Sequence, residues 1–390
     1  MPNPKLKQPS SHIRFGYDMP LIFVCLILLL LGLVMVTSSS IYIAETRFND
    51  SLYYFWRQLT YVGIGVSAGL LIILIPIQFW HKYSAVLLLI GTLSLILVLT
   101  PYFGHSVNGS MRWIKISGFN IQPSELIKLF MILYLSSYLI RRSQEVRESF
   151  MGFVKPMFVL ILIASLLLLE PDYGTTVVLF VTILGMLFLA GVPMYQFVLW
   201  VIGVSCALST LIFLAPYRLE RLTTFMNPWA DPFNSGFQLT QALIAIGRGE
   251  LFGVGLGNSV QKLAYLPEAH TDFLFAILAE ELGLIGVIFV ISLFAFVVLR
   301  SFVIAVETER VGLNFAAYTA YGIGLCIGLQ ASINLGVNMG LLPTKGLTLP
   351  LMSYGGSSLV VTCMMVAILL RIDYETQQKR IQSDLKAKVG

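Results

Sequence analysis

The sequence predicts an all-α integral membrane protein of ten transmembrane helices, with a large extracytoplasmic loop between the seventh and the eighth. Three observations carry this. The 390 residues are 57% hydrophobic with a mean hydropathy of +0.83, well above a soluble globular chain. Only 12% of them are Asp, Glu, Lys or Arg. Mostly apolar runs of 17 residues or more recur along the chain, and that is the length a helix needs to cross hydrocarbon. In lipid every backbone polar group must be satisfied internally, which runs this long achieve as helices and not as barrel strands.

The ten runs are 20–38, 58–77, 83–101, 124–140, 153–169, 174–191, 194–215, 272–299, 312–335 and 351–370. The first has a basic flank but no small-residue cleavage site, so it reads as an uncleaved anchor. Basic residues set the orientation. The N-terminal tail, Lys82, "RRSQEVR", Arg300, Arg310 and the C-terminal tail hold 14 of the 25 Lys and Arg residues on one side, the cytoplasmic side by the positive-inside rule. An even number of spans puts both termini there. The organisation expected is a cytoplasmic tail (1–19), a membrane domain (20–370) and a second cytoplasmic tail (371–390). Cys25, Cys206, Cys326 and Cys363 all fall inside runs, so no disulfide framework or zinc site is expected.

The opposite side carries the loops 102–122 and 336–350 and the 56 residues 216–271. A connection that long is uncommon unless it is functional. Its four acids match its four bases, Arg218, Arg221, Arg248 and Lys262, so it is no polybasic lipid clamp. Within it "FQLTQALIAIG" (237–247) is too short to span and reads as an interfacial or re-entrant helix. "GRGELFGVGLG" (247–257) lacks a Lys-Ser/Thr continuation and so is no P-loop. A glycine hinge is favoured there over a phosphate cradle. Neither a nucleotide nor a nucleic-acid partner is expected.

The chemistry-bearing residues sit where these loops meet the runs. In "QPSELIK" Pro123 suits a first helical position and Glu125 the first turn; Glu125 and Lys128, i and i+3, either pair or serve a site. Arg112, upstream in "MRW", needs a partner on the outer side, whereas interfacial placement explains Trp113. In "EPDYG" turn chemistry accounts for Pro171, Asp172 and Gly174, less readily for Glu170. Lys345 in "TKGLTLPLMSYGGSS" is a candidate anion ligand, and the Gly-Gly pair after it suits close helix packing. "PEAHTDFLFAILAEELG" (267–283) concentrates Glu268, His270, Asp272, Glu280 and Glu281. Asp272 stands where water meets lipid, so desolvation raises its pKa towards a general base's range. Capping, base and divalent-metal ligation all remain open for it, and His270 is an alternative base. Glu280 and Glu281, about 12–13 Å deeper along a helix, require a basic partner or a polar cavity.

The stretches "NGSMRWIKISGFNIQPSE", "EPDYGTTVVL", "NPWADPFNSGFQLTQALIAIGRGELFGVGLGNSVQKLAYLPEAHTDF", "EELG" and "LLPTKGLTLPLMSYGGSS" resemble the SEDS family (shape, elongation, division and sporulation). They are closer to its FtsW-like division branch than to its RodA-like elongation branch, over nearly all of residues 15–375. The departures, "GSMRW" and "GFQLTQAL", touch neither Arg112 nor Asp272. The resemblance implies a SEDS-type ten-helix peptidoglycan glycosyltransferase that polymerises lipid II, with release of undecaprenyl pyrophosphate, at the division septum of the bacterial inner membrane. It implies a class B penicillin-binding transpeptidase and other divisome proteins as partners, and Asp272 as the catalytic residue. Arg112, Lys128, Arg218, Lys345, Glu125, Gln261, Lys262, Glu268 and His270 are then candidates for substrate and pyrophosphate contact, with Glu280 and Glu281 supporting. A divalent cation, Mg or Mn, on Asp272 is a candidate cofactor. A lipid II flippase and a non-catalytic divisome scaffold are the alternatives; no paired broken helices or inverted repeats favour the flippase.

Overall fold

A computed structural model describes residues 16–102, 104–107, 110–116, 119–213, 225–234, 236–343 and 346–389. Among them the helices are α1 (Met19–Phe48), α2 (Tyr53–Leu74), α3 (Ile77–Val98), α4 (Pro123–Arg141), α5 (Ser143–Glu148), α6 (Phe150–Leu169), α7 (Tyr173–Leu189), α8 (Met194–Phe213), α9 (Phe237–Gly249), α10 (Leu274–Arg310), α11 (Asn314–Asn338) and α12 (Gly356–Val389). Eight of these, α1–α4, α6 and α10–α12, are long and apolar enough to cross a membrane. Two shorter apolar stretches, α7 and residues 194–203 of α8, occupy the sixth and seventh expected runs. Each of the ten runs therefore contains a helix, and eight of these helices reach the full spanning length.

The ends of the helices follow from local chemistry. The Asp18 carboxylate accepts the Leu21 N–H at 3.0 Å and opens α1, and Asn49 closes it in the left-handed conformation, as Asn and Gly do at helix C-termini. Pro123 starts α4, where its missing N–H costs nothing. Asp172 caps α7 by accepting from Thr175 N at 3.2 Å. Burial then orders the bundle: 83% of the α4 span is buried, against 28% for α2 and α3. The central helix is thus the one that follows Arg112 and carries Glu125 and Lys128, while α2 and α3 present apolar flanks outward.

Three features depart from the sequence expectations. Loop 102–122 contains a small antiparallel sheet, β1 (Gly104–Val107), β2 (Ser110–Ile116) and β3 (Phe119–Ile121), in the order β1-β2-β3. Strands of three to seven residues in a glycine- and asparagine-rich loop are too short for alternation to stand out. The expected 272–299 and 351–370 spans begin later, at Leu274 and Gly356, because the residues before each are held in turns. The stretch 371–389, read as a polar tail, continues α12 as helix.

Candidate active site

Four elements converge on one end of the bundle: β2, the α6–α7 turn, the turn before α10 and the segment 346–349. Asp272 lies two residues ahead of α10 and is half-buried. Among the described residues none donates a hydrogen bond to its carboxylate. A Cβ on Gly346 would stand 3.2 Å from Asp272 Oδ2, so the backbone of that segment runs directly over the acid. Burial, with Glu268 and Asp172 adding negative charge and Arg112 opposing them, pushes the Asp272 carboxyl up to about 7. Burial disfavours the charged form of a carboxylate, and like charges add to the effect.

Among the described residues, Arg112 brings a cation to this mouth. The register of β1 against β2 slips between His105 and Ser106, opposite Arg112, and irregularities of this kind re-aim side chains. Its guanidinium donates through Nε to the Glu170 carbonyl at 2.9 Å and through Nη2 to the Pro171 carbonyl at 2.5 Å. These bonds fix the group without neutralising it, because both acceptors are uncharged. Asp172, which accepts from Ser124 at 3.0 Å and Gln122 at 3.3 Å, is bound to the start of α4. Glu170 is fully buried, and neither of its carboxyl oxygens has a partner among the described residues. Burial first, and then Asp172, push it up to about 8 against the pull of Arg112.

Behind the mouth, Lys128 is buried and pairs with Glu125 at 2.9 Å while donating to Gln330 Oε1 at 2.6 Å. Gln330 in turn donates to the Thr348 carbonyl at 3.0 Å. The ion pair therefore braces α4 against α11 and the segment over Asp272. Its ammonium already has two partners before any substrate arrives.

The deeper acids are fully engaged. Glu280 accepts from Arg248 at 2.9 Å, from Val260 N at 3.1 Å and from Ser259. Glu281 accepts from Ser38 at 2.7 Å and from Lys262 at 2.9 Å, and Lys262 also donates to Ser38 at 3.0 Å and to the Gly257 carbonyl at 2.7 Å. A break in α10 makes this possible. Gly283 has φ 65° and ψ −165°, outside the helical region. The carbonyls of Glu280 and Glu281 accept instead from Val254 and Gly255 N, and the N–H groups of Leu284 and Ile285 donate to Glu250 and Leu251, at 2.9–3.2 Å. Segment 249–255 thus replaces the hydrogen bonds that the break removes from the helix. Its glycines are needed for proximity: a Cβ on Gly249 would sit 1.9 Å from the Ala279 carbonyl oxygen. The N–H groups of Val254 and Gly255 are occupied here and do not cradle a phosphate.

The remaining candidates divide. His270 packs its ring against Tyr54 and Tyr354, with centroids at 4.5 and 5.6 Å, and burial holds its pKa down at about 4. It is an uncharged member of an aromatic cluster. Glu268, exposed and in the left-handed region at φ 54°, accepts from Thr271 Oγ1 at 2.7 Å and lends negative charge to Asp272. Gln261 is buried, and its Oε1 has no partner among the described residues. Arg218 and Lys345 lie outside the described residues. Two residues at the mouth escape sequence reasoning: Asn334 and Asn338 on α11 both donate to the Asp272 carbonyl, at 2.9 and 3.0 Å. The available signal was a pair of amides one turn apart in an otherwise apolar run.

Comparison with known proteins places this arrangement. Residues 19–378 match the FTSW_RODA_SPOVE family, described as cell cycle proteins. The chain is 54% identical over 364 residues to a probable peptidoglycan glycosyltransferase FtsW of Nitrosococcus halophilus, covering 93% of this chain and 94% of that one. It is 55% identical to the protein of the same name in Thioalkalivibrio sulfidiphilus, covering 95% and 92%. Among solved structures it superposes with a TM-score of 0.77 and 26% identity on a chain from a peptidoglycan synthase complex that coordinates polymerization and crosslinking, covering 93% of this chain and 99% of that one. Thermus thermophilus RodA, a rod shape determining protein, gives a TM-score of 0.69 at 26% identity, covering 93% and 98%.

Proposed function

From the premise that the chain belongs to the FTSW_RODA_SPOVE family of cell cycle proteins, we propose that Asp272 is the base of a lipid II polymerase. The chain is a peptidoglycan glycosyltransferase of the division type. One observation carries the assignment of Asp272: a half-buried carboxyl, without a donor among the described residues, within the field of a fixed but unneutralised arginine. A base that titrates near 7 combines a useful ionised fraction with real proton affinity.

The reaction follows from these groups. The acceptor sugar's 4-hydroxyl gives its proton to the Asp272 carboxylate as its oxygen bonds to the anomeric carbon of the donor. The bond from that carbon to the diphosphate oxygen breaks, and undecaprenyl pyrophosphate leaves with the electron pair. Arg112 offsets the charge that develops on the departing oxygen, with Lys345 and Arg218 as further candidates. Preorganised cations in a site shielded from water act strongly at this point. Lys128, engaged with Glu125 and Gln330, contributes through its field and by bracing α4. No set of three or more His, Cys, Asp or Glu converges among the described residues. A Mg²⁺ or Mn²⁺ ion therefore fits only as one carried largely by the diphosphate, with Asp272 as its protein ligand. It would supply charge neutralisation.

The decisive experiment supplies the purified protein with lipid II alone, without nucleotide. Glycan strands establish the polymerase, translocation without strands establishes a flippase, and neither outcome leaves a scaffold. The protein is multi-pass in the membrane. The finer placement belongs to the same proposal: inner membrane at the septum, both termini cytoplasmic, and a class B penicillin-binding transpeptidase with other divisome proteins as partners. In a background without the four native cysteines, a cysteine at Asn234 should react with an impermeant thiol reagent from outside, and one at Ser143 should not. Reversed labelling would overturn the orientation.

A further inference from the structure

Asn334 and Asn338 stand one turn apart on α11, 2% and 0% exposed, in a helix otherwise apolar enough to cross a membrane. Amides in such a setting need partners, and these two find theirs in one residue and its surroundings. Asn334 Nδ2 donates to the Asp272 carbonyl at 2.9 Å and to the Leu347 carbonyl at 2.6 Å. Asn338 Nδ2 donates to the same Asp272 carbonyl at 3.0 Å and to the Asn334 carbonyl at 2.9 Å. Asn338 Oδ1 accepts the Ala276 N–H at 3.1 Å.

That last bond has a specific meaning. Ala276 is in the first turn of α10, where N–H groups lack the usual partner four residues back, and its N–H is shared between the Phe273 carbonyl, at 3.1 Å, and Asn338 Oδ1. An aspartate just ahead of a helix commonly satisfies such a donor with its own carboxylate. Here the N-cap residue is Phe273, which makes no side-chain bond, and an asparagine from the neighbouring helix shares the donor with the Phe273 carbonyl. The carboxylate of Asp272 is left with no capping role. Its main-chain carbonyl is clamped by two amides, and one of these amides also anchors Leu347, next to the Gly346 that overlies the acid.

We infer that Asn334 and Asn338 are positioning residues for Asp272: they hold it by its backbone, keep its carboxylate out of the helix cap, and fix its distance to the 346–349 segment. This rests on the reading of Asp272 as the base. A displacement of about 1 Å at a reacting group can cost on the order of 10²-fold in rate, so the clamp acts on kcat and not on substrate affinity.

The test measures lipid II polymerisation by purified Asn334→Ala, Asn338→Ala, Thr319→Ala and Asp272→Asn variants, with thermal unfolding recorded alongside. Thr319 is a buried hydroxyl on α11 that bonds within its own helix and serves as the control. The expected result is a fall in kcat of about 10–100-fold in both asparagine variants, with KM within about twofold and Thr319→Ala near the wild-type rate. Asn334→Ala leaves the Ala276 cap intact, so it remains informative if Asn338→Ala does not fold. An inactive Asp272→Asn together with normal kcat in folded Asn334→Ala overturns the clamp alone. An active Asp272→Asn overturns the reading of the base beneath it.

Discussion

The acids flanking the start of α10 are treated in opposite ways within about 13 Å. At the mouth, Asp272 and Glu170 have carboxyls with no donor among the described residues, and both are pushed up towards neutral pH or above. Deeper in, Glu280 and Glu281 are fully buried, yet each has a cation and a hydroxyl or amide on its oxygens. Burial alone therefore does not separate a working acid from a structural one. Pairing, together with access, does: a carboxylate with a full set of partners holds the fold together, and one without them that is still partly exposed, as Asp272 is and Glu170 is not, is available to a substrate.

The largest effect expected from this contrast is at Asp272. Replacing it with Asn removes the basic oxygen and changes little else, and loss of a general base typically costs about 10²–10⁴-fold. Polymerisation should fall to near background while the protein still folds. Close to normal turnover would place Asp272 with the structural acids.

At the deeper pair the expected damage is to stability. Lys262→Ala leaves Glu281 buried without its cation, and breaking a buried pair costs about 3–5 kcal/mol. Unfolding in detergent should show it. If Lys262→Ala melted like the wild type but failed to polymerise, the deeper acids would belong to the chemistry.

A smaller effect concerns pH. A base titrating near 7 is progressively protonated in more acid solution, so kcat should fall about tenfold per unit well below pH 7 and level off above it. A rate constant from pH 5.5 to 8 would reassign the base. The smallest effect is thermodynamic. Because the folded-state pKa of Asp272 is raised, its contribution to stability is fully present below the ordinary carboxylate pKa and is lost as pH rises through about 7. Asp272→Asn, which cannot ionise, should melt slightly above the wild type at pH 8 and level with it near pH 4. Equal melting at both pH values would mean that the carboxylate is well solvated.

Much of this was legible in the sequence. Long apolar runs announce spanning helices whatever their partners, and acids in an apolar run stand out at once. From the residues alone, Asp272 remained a cap, a base or a metal ligand; the N-cap position falls to Phe273, and Asn338 with the Phe273 carbonyl satisfies the Ala276 N–H, which removes the cap from that set. The clamp itself was hidden because its partners are 62 and 66 residues apart in the chain, and an amide hardly alters the hydropathy of a run. The break at Gly283 was hidden too, since a lone glycine in an apolar stretch reads as packing until the segment that fills it is known. Arg112 was legible as a charge in need of a partner, but not that backbone carbonyls would supply one.

The stitched break in α10 also bears on how the protein comes to be made. While segment 249–255 is undocked, the stretch around Gly283 has open carbonyls and N–H groups, and Glu280 and Glu281 lack their cations. Such a segment is a poor occupant of hydrocarbon. Entry of α10 into the bilayer therefore cannot be the final event of biogenesis. Segment 249–255 has to dock and close the helix after insertion, so a copy whose loop is cut or held away would be inserted yet immature, and exposed to quality-control proteolysis.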